Sequence, residues 1–364
     1  MSNIDSLLLY ILIFAISTFS FSQYKVENSL TRGLGISLSI VIPSIFAGVR
    51  FQVGTDYKNY LYTFKALDNL PFKWIFTNEL HLNMERGFLF ASKLALYVFS
   101  PRAIFGVWAF IILLFFVITL VRYYRQYDIT LAYFVFLIGP FTNSFNVLRQ
   151  EVAIAIVFFA IHYIFENKFI KYLIFILIAG TIHFSAFVCI VIYFLWNHKT
   201  ASCAHVNKIK GWKYILLGLI LLAIWRPVLA RLSNTGLFFI EKFNEYQTGN
   251  VGRNLSFIIM LFVLLFLFGF EDSIGRDDEV VHFFILLYLI ATIAEFTGFF
   301  STFVKRIGLY FSVGTAIIYT NIPFAFTERS RLFVKWIICG LLLMEFVLSS
   351  FVLKQGGLIP YKVN

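Results

Sequence analysis

The sequence predicts an all-α polytopic membrane protein, read as a single transmembrane domain over 1–364. Two observations carry this. Of 364 residues, 60% are hydrophobic and only 13% are charged, against roughly 25% charged in a soluble domain. The apolar segments are also continuous and not alternating, which fits spanning helices and not a membrane barrel.

About 12 spans are expected, near residues 6–22, 34–49, 103–121, 129–145, 148–165, 169–182, 183–197, 213–230, 255–270, 280–299, 306–324 and 332–352. The first apolar run, Leu7 to Phe21, has no basic residue before it and no small-residue cleavage site after it. It reads as a retained span and not as a signal peptide. The stretch 85–99, closed by Pro101, is shorter than a comfortable span and is read as a re-entrant or interfacial helix; were it to span, Arg50 would fall on the opposite face from Arg149. The loops 50–102 and 231–254 are the sizeable extramembrane pieces, with room for short helices and no separate soluble domain.

The formal net charge of +11 follows from basic loops on one side of a membrane and does not point to nucleic acid. Arg122, Arg125, Lys168, Lys171, Lys199, Lys208, Lys210 and Lys213 alternate with the bare hairpins 141–147 and 180–182. The basic loops are therefore assigned to the cytoplasm and the bare hairpins to the outside. If 85–99 does not cross, Arg50 to Glu85 lies outside, together with Asn146 to Gln150, His183, the loop 231–254 and Lys305-Arg306. The three cysteines, Cys189, Cys203 and Cys339, show no metal-ligand spacing, so neither a disulfide nor a metal is expected.

A chain this poor in charge makes its polar clusters at helix ends informative. Val49 to Tyr60 packs Arg50, a Gly54-Thr55-Asp56 turn, Tyr57 and Tyr60 into one membrane exit. Arg50 alone reads equally well as a cation snorkelling to headgroups. Arg149, Gln150 and Glu151 in a row put polar groups on most of one helix's circumference, which suits a polar cavity. A helix N-terminus beside an arginine suits an anion. Glu85, at the head of the short helix, reads as ordinary capping chemistry or as a base. His183 reads as a structural hydrogen-bonder or as a base near neutral pH. Tyr246 and Arg253 in the second outer loop read as a solvated surface. Taken together, Arg50, Arg149 and Arg306 emerge at one expected depth with Asp56, Glu85 and His183. The arginine fork suits phosphate oxygens, and a diphosphate carried on a lipid would arrive there. Asp56, Glu85 and His183 are the candidate bases. Tyr57 and Tyr60 either pack or stack on sugar rings, and Gln150 is a further candidate contact.

The ordered set Arg50-Phe51-x-Val53-Gly54-Thr55-Asp56-Tyr57-x-x-Tyr60, Glu85-x-Gly87-Phe88, Leu148-Arg149-Gln150-x-x-Ala153 and His183-Phe184-Ser185-Ala186 resembles the EpsG-like branch of Wzy-type polysaccharide polymerases. The resemblance covers most of residues 1–200. It implies a bacterial inner-membrane glycosyltransferase, usually inverting and without a required metal or other cofactor, whose site faces the periplasm or outside. Its substrate would be an undecaprenyl-diphosphate-linked oligosaccharide, polymerised into O-antigen, capsule or exopolysaccharide, with a chain-length regulator protein as a possible partner. Arg50, Arg149 and Arg306 would neutralise the leaving diphosphate. The rival readings are an O-antigen ligase-type transferase, a lipid-linked oligosaccharide flippase without chemistry, and a carbohydrate acyltransferase.

Overall fold

The computed structural model describes residues 1–77, 82, 84–123, 126–197, 202–203, 255–270, 279–297 and 302–363. The expected span 213–230, the loop 231–254 with Tyr246 and Arg253, and Arg125, Lys199, Lys208, Lys210 and Lys213 lie outside the described residues. The chain divides into two compact units, Met1–Phe187 with Ser330–Asn364, and Val188–Arg329.

The first unit contains α1 (Asn3–Ser22), α2 (Ser29–Val49), α3 (Tyr57–Asn69), α4 (Arg86–Leu96), α5 (Ile104–Arg122), α6 (Ile129–Phe136), α7 (Leu148–Phe165) and α8 (Phe169–Ile182). Seven of the described helical segments in the chain are long and apolar enough to cross a membrane, and four shorter apolar ones accompany them. The protein is an all-α, multi-pass membrane protein.

Local chemistry sets the helix starts. Ser2 and Asp5 form a reciprocal capping box at α1. The Asn28 side chain accepts from the Leu30 and Thr31 amides at 2.9 and 3.2 Å and starts α2. Asp128 precedes α6 and pairs with Lys335 Nζ at 2.6 Å. Pro43 sits inside α2 and removes the amide that would bond the Ser39 carbonyl. The Tyr133 hydroxyl of α6 donates to that carbonyl instead, at 2.5 Å. The backbone group freed by proline is thus satisfied from a neighbouring helix, as a bilayer interior requires.

Helix α7 is the centre of this unit and packs against α5 and α8. It is buried on almost every side, from Leu148 through Ile164. Helix α1, by contrast, exposes Ile4, Leu8, Leu12 and Ile16 at four-residue intervals, an apolar stripe suited to lipid. Helix α4 has eleven residues, or about 16 Å at ~1.5 Å per residue. That is about half of a hydrocarbon core of ~30 Å.

The second unit holds α9 (Ile190–Phe194), a two-residue antiparallel pair β1 (Trp196–Asn197) and β2 (Ser202–Cys203), α10 (Leu255–Gly269), α11 (Glu279–Thr297), α12 (Thr302–Phe311) and α13 (Thr315–Asn321). Trp196 packs edge-on against Phe283 of α11 at 5.5 Å. Helix α14 (Glu328–Phe346), which from Ser330 onward belongs to the first unit, continues as a wider turn through Val352. Residues Gln355–Val363, also in the first unit, then run back along α1.

Candidate active site

The polar residues that interrupt the apolar pattern meet at the N-terminal end of α7. Glu85 is the residue before α4, but its side chain makes no cap hydrogen bond. It reaches away from its own helix instead. Oε2 pairs with Arg149 Nη1. Oε1 takes the His183 ring nitrogen Nδ1 at 2.9 Å and the Phe184 amide at 3.1 Å. The capping reading of Glu85 is therefore replaced by a three-way bridge between α4, α7 and the end of α8.

Gly87 makes that bridge possible. A Cβ there would stand 2.4 Å from Thr181 Oγ1 and 2.7 Å from its carbonyl oxygen. Only a glycine lets α4 lie this close to the last turn of α8, and that approach brings Glu85 within reach of His183.

Burial pushes the Glu85 carboxyl up, but the His183 hydrogen bond, the Arg149 charge and the Phe184 amide outweigh it and hold it down at about 2. An ionised carboxylate only accepts, so His183 Nδ1 carries the proton that Glu85 receives. In the neutral ring Nε2 is then the acceptor. The side chains of Arg149, Glu85 and His183 are 21, 20 and 22% exposed, so each keeps part of its surface open.

Tyr60 backs Arg149. Its hydroxyl lies 3.5 Å from the Arg149 amide and also contacts the guanidinium, and burial raises its pKa. Glu151 turns the other way, into the protein, and takes the Asn143 side-chain amide at 2.5 Å. That bond fastens the loop before α7 to its first turn. Gln150 is also buried.

The turn Gly54-Thr55-Asp56 joins the same end of the unit. Gly54 has φ +95°, and a Cβ on it would fall 2.3 Å from the Phe145 carbonyl oxygen, so glycine is required twice over. The Thr55 amide and hydroxyl both donate to Asn146 Oδ1, at 2.7 and 2.9 Å. Asp56 precedes α3 without capping it. Its carboxylate has the Thr55 hydroxyl at 3.5 Å and no cationic partner among the described residues. These contacts place Asp56, Tyr60, Glu85, Arg149 and His183 at one end of the first unit.

Arg50 is different. It is 2% exposed, with its guanidinium carbon 4.0 Å from the Phe145 ring centre and 4.7 Å from that of Phe105. Nε and Nη1 are buried without a hydrogen-bond partner, as is the Tyr57 hydroxyl. Tyr57 stacks on Phe105 at 4.7 Å. Tyr57 and Tyr60 are thus core residues and not an open sugar platform. Arg306 lies on α12 of the second unit, next to Lys305, which pairs with Glu295 at 2.7 Å.

Two contributors escaped the sequence reading. Asn146 was legible only as part of a polar stretch. Tyr361 donates its hydroxyl to the Phe46 carbonyl from more than 300 residues away. The Gly356-Gly357 pair and Pro360 after the last apolar run were the one signal that this segment turns back.

Neither the curated proteins nor the solved structures returned a match. A family model, described as the EpsG family, matches residues 34–363. The match extends the likeness well beyond residue 200 and takes in every motif residue of the site. The family's association is with glycosyl transfer in polysaccharide synthesis, and a partly exposed, charge-bearing cluster on a multi-pass membrane scaffold is consistent with it. The chain belongs to the EpsG family.

Proposed function

We propose that the protein polymerises undecaprenyl-diphosphate-linked oligosaccharide repeats at the outer face of a bacterial inner membrane, by inverting glycosyl transfer. The observation that carries this reading is the meeting of Arg149, Glu85 and His183 in one partly exposed cluster. In the proposed reaction a hydroxyl of the lipid-linked acceptor attacks the anomeric carbon of the growing chain. The bond to undecaprenyl diphosphate breaks, and the acceptor proton passes to His183 Nε2.

Glu85 is a positioning residue and not the base. Both of its oxygens are occupied, and its carboxyl has little affinity for a proton. It holds the imidazole in the tautomer that leaves Nε2 free to accept. Arg149 meets the leaving diphosphate, where negative charge grows as the bond breaks; a preorganised cation then stabilises the transition state more than the ground state. The start of α7, which has no side-chain cap, adds the positive end of its dipole to the same end. Arg50, caged behind Phe145, contributes through its field and not through contact. Asp56 carries an uncompensated charge on the same end of the unit and is assigned to the hydroxyls of the acceptor sugar.

The test is incubation of the purified protein with a purified lipid-linked repeat as the sole substrate. Wild type should produce a ladder of lengthening products, and His183→Gln should produce none while remaining inserted and folded. Product that appears only after a chemically different acceptor is added would instead identify a ligase-type transferase.

A further inference from the structure

The segment after α14 makes a series of contacts that end at the proposed site. The Tyr361 amide donates to Ser6 Oγ at 2.9 Å, and the Tyr10 hydroxyl donates to the Leu358 carbonyl at 3.2 Å. These two bonds fix the segment against α1. The Tyr361 ring stacks on Phe46 at 4.3 Å, and its hydroxyl donates to the Phe46 carbonyl. That carbonyl sits in the last turn of α2, where the helix supplies no amide. Arg50 follows immediately in extended conformation and forms a bridge with Val363.

Two more bonds carry the contact along the turn. The Phe51 amide donates to the Lys362 carbonyl at 2.8 Å, and the Gly54 amide to the Gly357 carbonyl at 3.0 Å. Next in line, Thr55 is held twice by Asn146 Oδ1. Asn146 stands three residues before Arg149 and directly after Phe145, the ring that covers Arg50. Every backbone amide named here is held by a residue at least ninety positions away; the local closure of the turn is the longer bond from the Tyr57 amide to the Gly54 carbonyl, at 3.4 Å.

We propose that residues Gln355–Val363 act as a strap which, together with Asn146, positions the Arg50–Asp56 turn against the start of α7 for glycosyl transfer. The strap holds one side of the turn and Asn146 the other. Asp56 and Arg149 thereby keep a fixed separation without touching each other. Tyr361 and Asn146 are positioning residues: neither is assigned a contact with substrate.

This inference rests on the polymerase reading, so its test has an arm without substrate. Hydrogen exchange on the purified wild-type protein should show protected amides at Phe51, Gly54 and Thr55. Asn146→Ala should release Thr55, and deletion of 355–364 should release Phe51 and Gly54. Asn146→Asp keeps the acceptor oxygen and should restore the protection of Thr55. In the activity arm, Asn146→Ala and Tyr361→Phe should lower kcat for the lipid-linked repeat by about tenfold to a hundredfold, the range a small misplacement produces, with KM almost unchanged and recovery in Asn146→Asp. Should the deletion fail to fold, Asn146→Ala and Asn146→Asp decide the matter. Thr55 remaining protected in Asn146→Ala, or kcat remaining at the wild-type value there, overturns the proposal. A wild-type protein that forms no ladder overturns the polymerase reading, and the exchange arm still judges whether the turn is held as described.

Discussion

Arg50 and Arg149 enter the same end of one helical unit and occupy opposite physical states. Arg149 has a carboxylate partner, a tyrosine behind it and about a fifth of its side chain exposed. Arg50 has two phenylalanine faces, no carboxylate partner among the described residues and almost no exposure. Burial lowers the Arg50 pKa to about 10, which still leaves it charged at neutral pH. A cation in an aromatic cage is stabilised by ring quadrupoles, but its charge is not cancelled. Two arginines at one depth can therefore differ in what they do. Arg149 is built to be met, and Arg50 to be felt.

Several substitutions break or sharpen that contrast. Arg149→Ala should have the largest effect, a loss of about a hundredfold or more in polymerisation rate, with the protein still inserted. Arg149→Lys should recover little, because a point charge does not reproduce the fork. Ladder assays on membranes with matched protein levels check both. Arg50→Met should separate the two states most sharply. It keeps much of the bulk in the cage and removes a buried charge that has no counterion, so the thermal midpoint should stay level or rise. The rate should nonetheless fall by about tenfold, through loss of field alone. A collapse in thermal stability would instead make Arg50 a structural keystone.

Gly87→Ala should act on the Arg149 side only. The new methyl meets the Thr181 carbonyl, and α4 must shift, at a cost of about 1–3 kcal/mol. Glu85 then moves away from His183, so rate and stability fall together, which a melting curve beside a ladder assay would show. The smallest effect is that of pH on Glu85. Its carboxyl lies below the ordinary 4.5, at about 2. The stability it contributes is complete above about 4.5 and is lost as pH falls through about 2. Chemical denaturation of wild type and Glu85→Gln should accordingly differ by a constant amount from pH 5 to pH 8, the two converging only in strong acid.

Much of this architecture was legible because lipid demands long apolar runs. The expected spans 148–165 and 169–182 share their bounds with α7, which is long and apolar enough to cross, and with α8, which is one of the shorter apolar helices. The expected span 129–145 does not run as one α-helix, since Pro140 falls in a wider turn over Leu137–Phe141. Helix α2 begins five residues earlier than apolar pattern alone indicates, because Asn28 caps it. Glu85, Arg149 and His183 were legible as candidates because each interrupts an apolar or turn pattern at a predicted membrane boundary. Their mutual bonding was not, for it depends on α4 packing against α8 through Gly87. The cage around Arg50 was illegible for a related reason: Phe105 and Phe145 are two among 47 phenylalanines, and nothing local marks them. The hold of Tyr361 on Phe46 spans nearly the whole chain, and no pattern of neighbours encodes such a contact.

The proline in α2 bears on how the protein is made. A helix leaving the insertion machinery alone would carry the Ser39 carbonyl into hydrocarbon without a donor, at a cost of several kcal/mol. Tyr133, its donor, is synthesised 94 residues later. Until α6 arrives, α2 has reason to linger beside the translocon or to borrow a water. Biogenesis of this half of the molecule thus has an order written into a single hydroxyl.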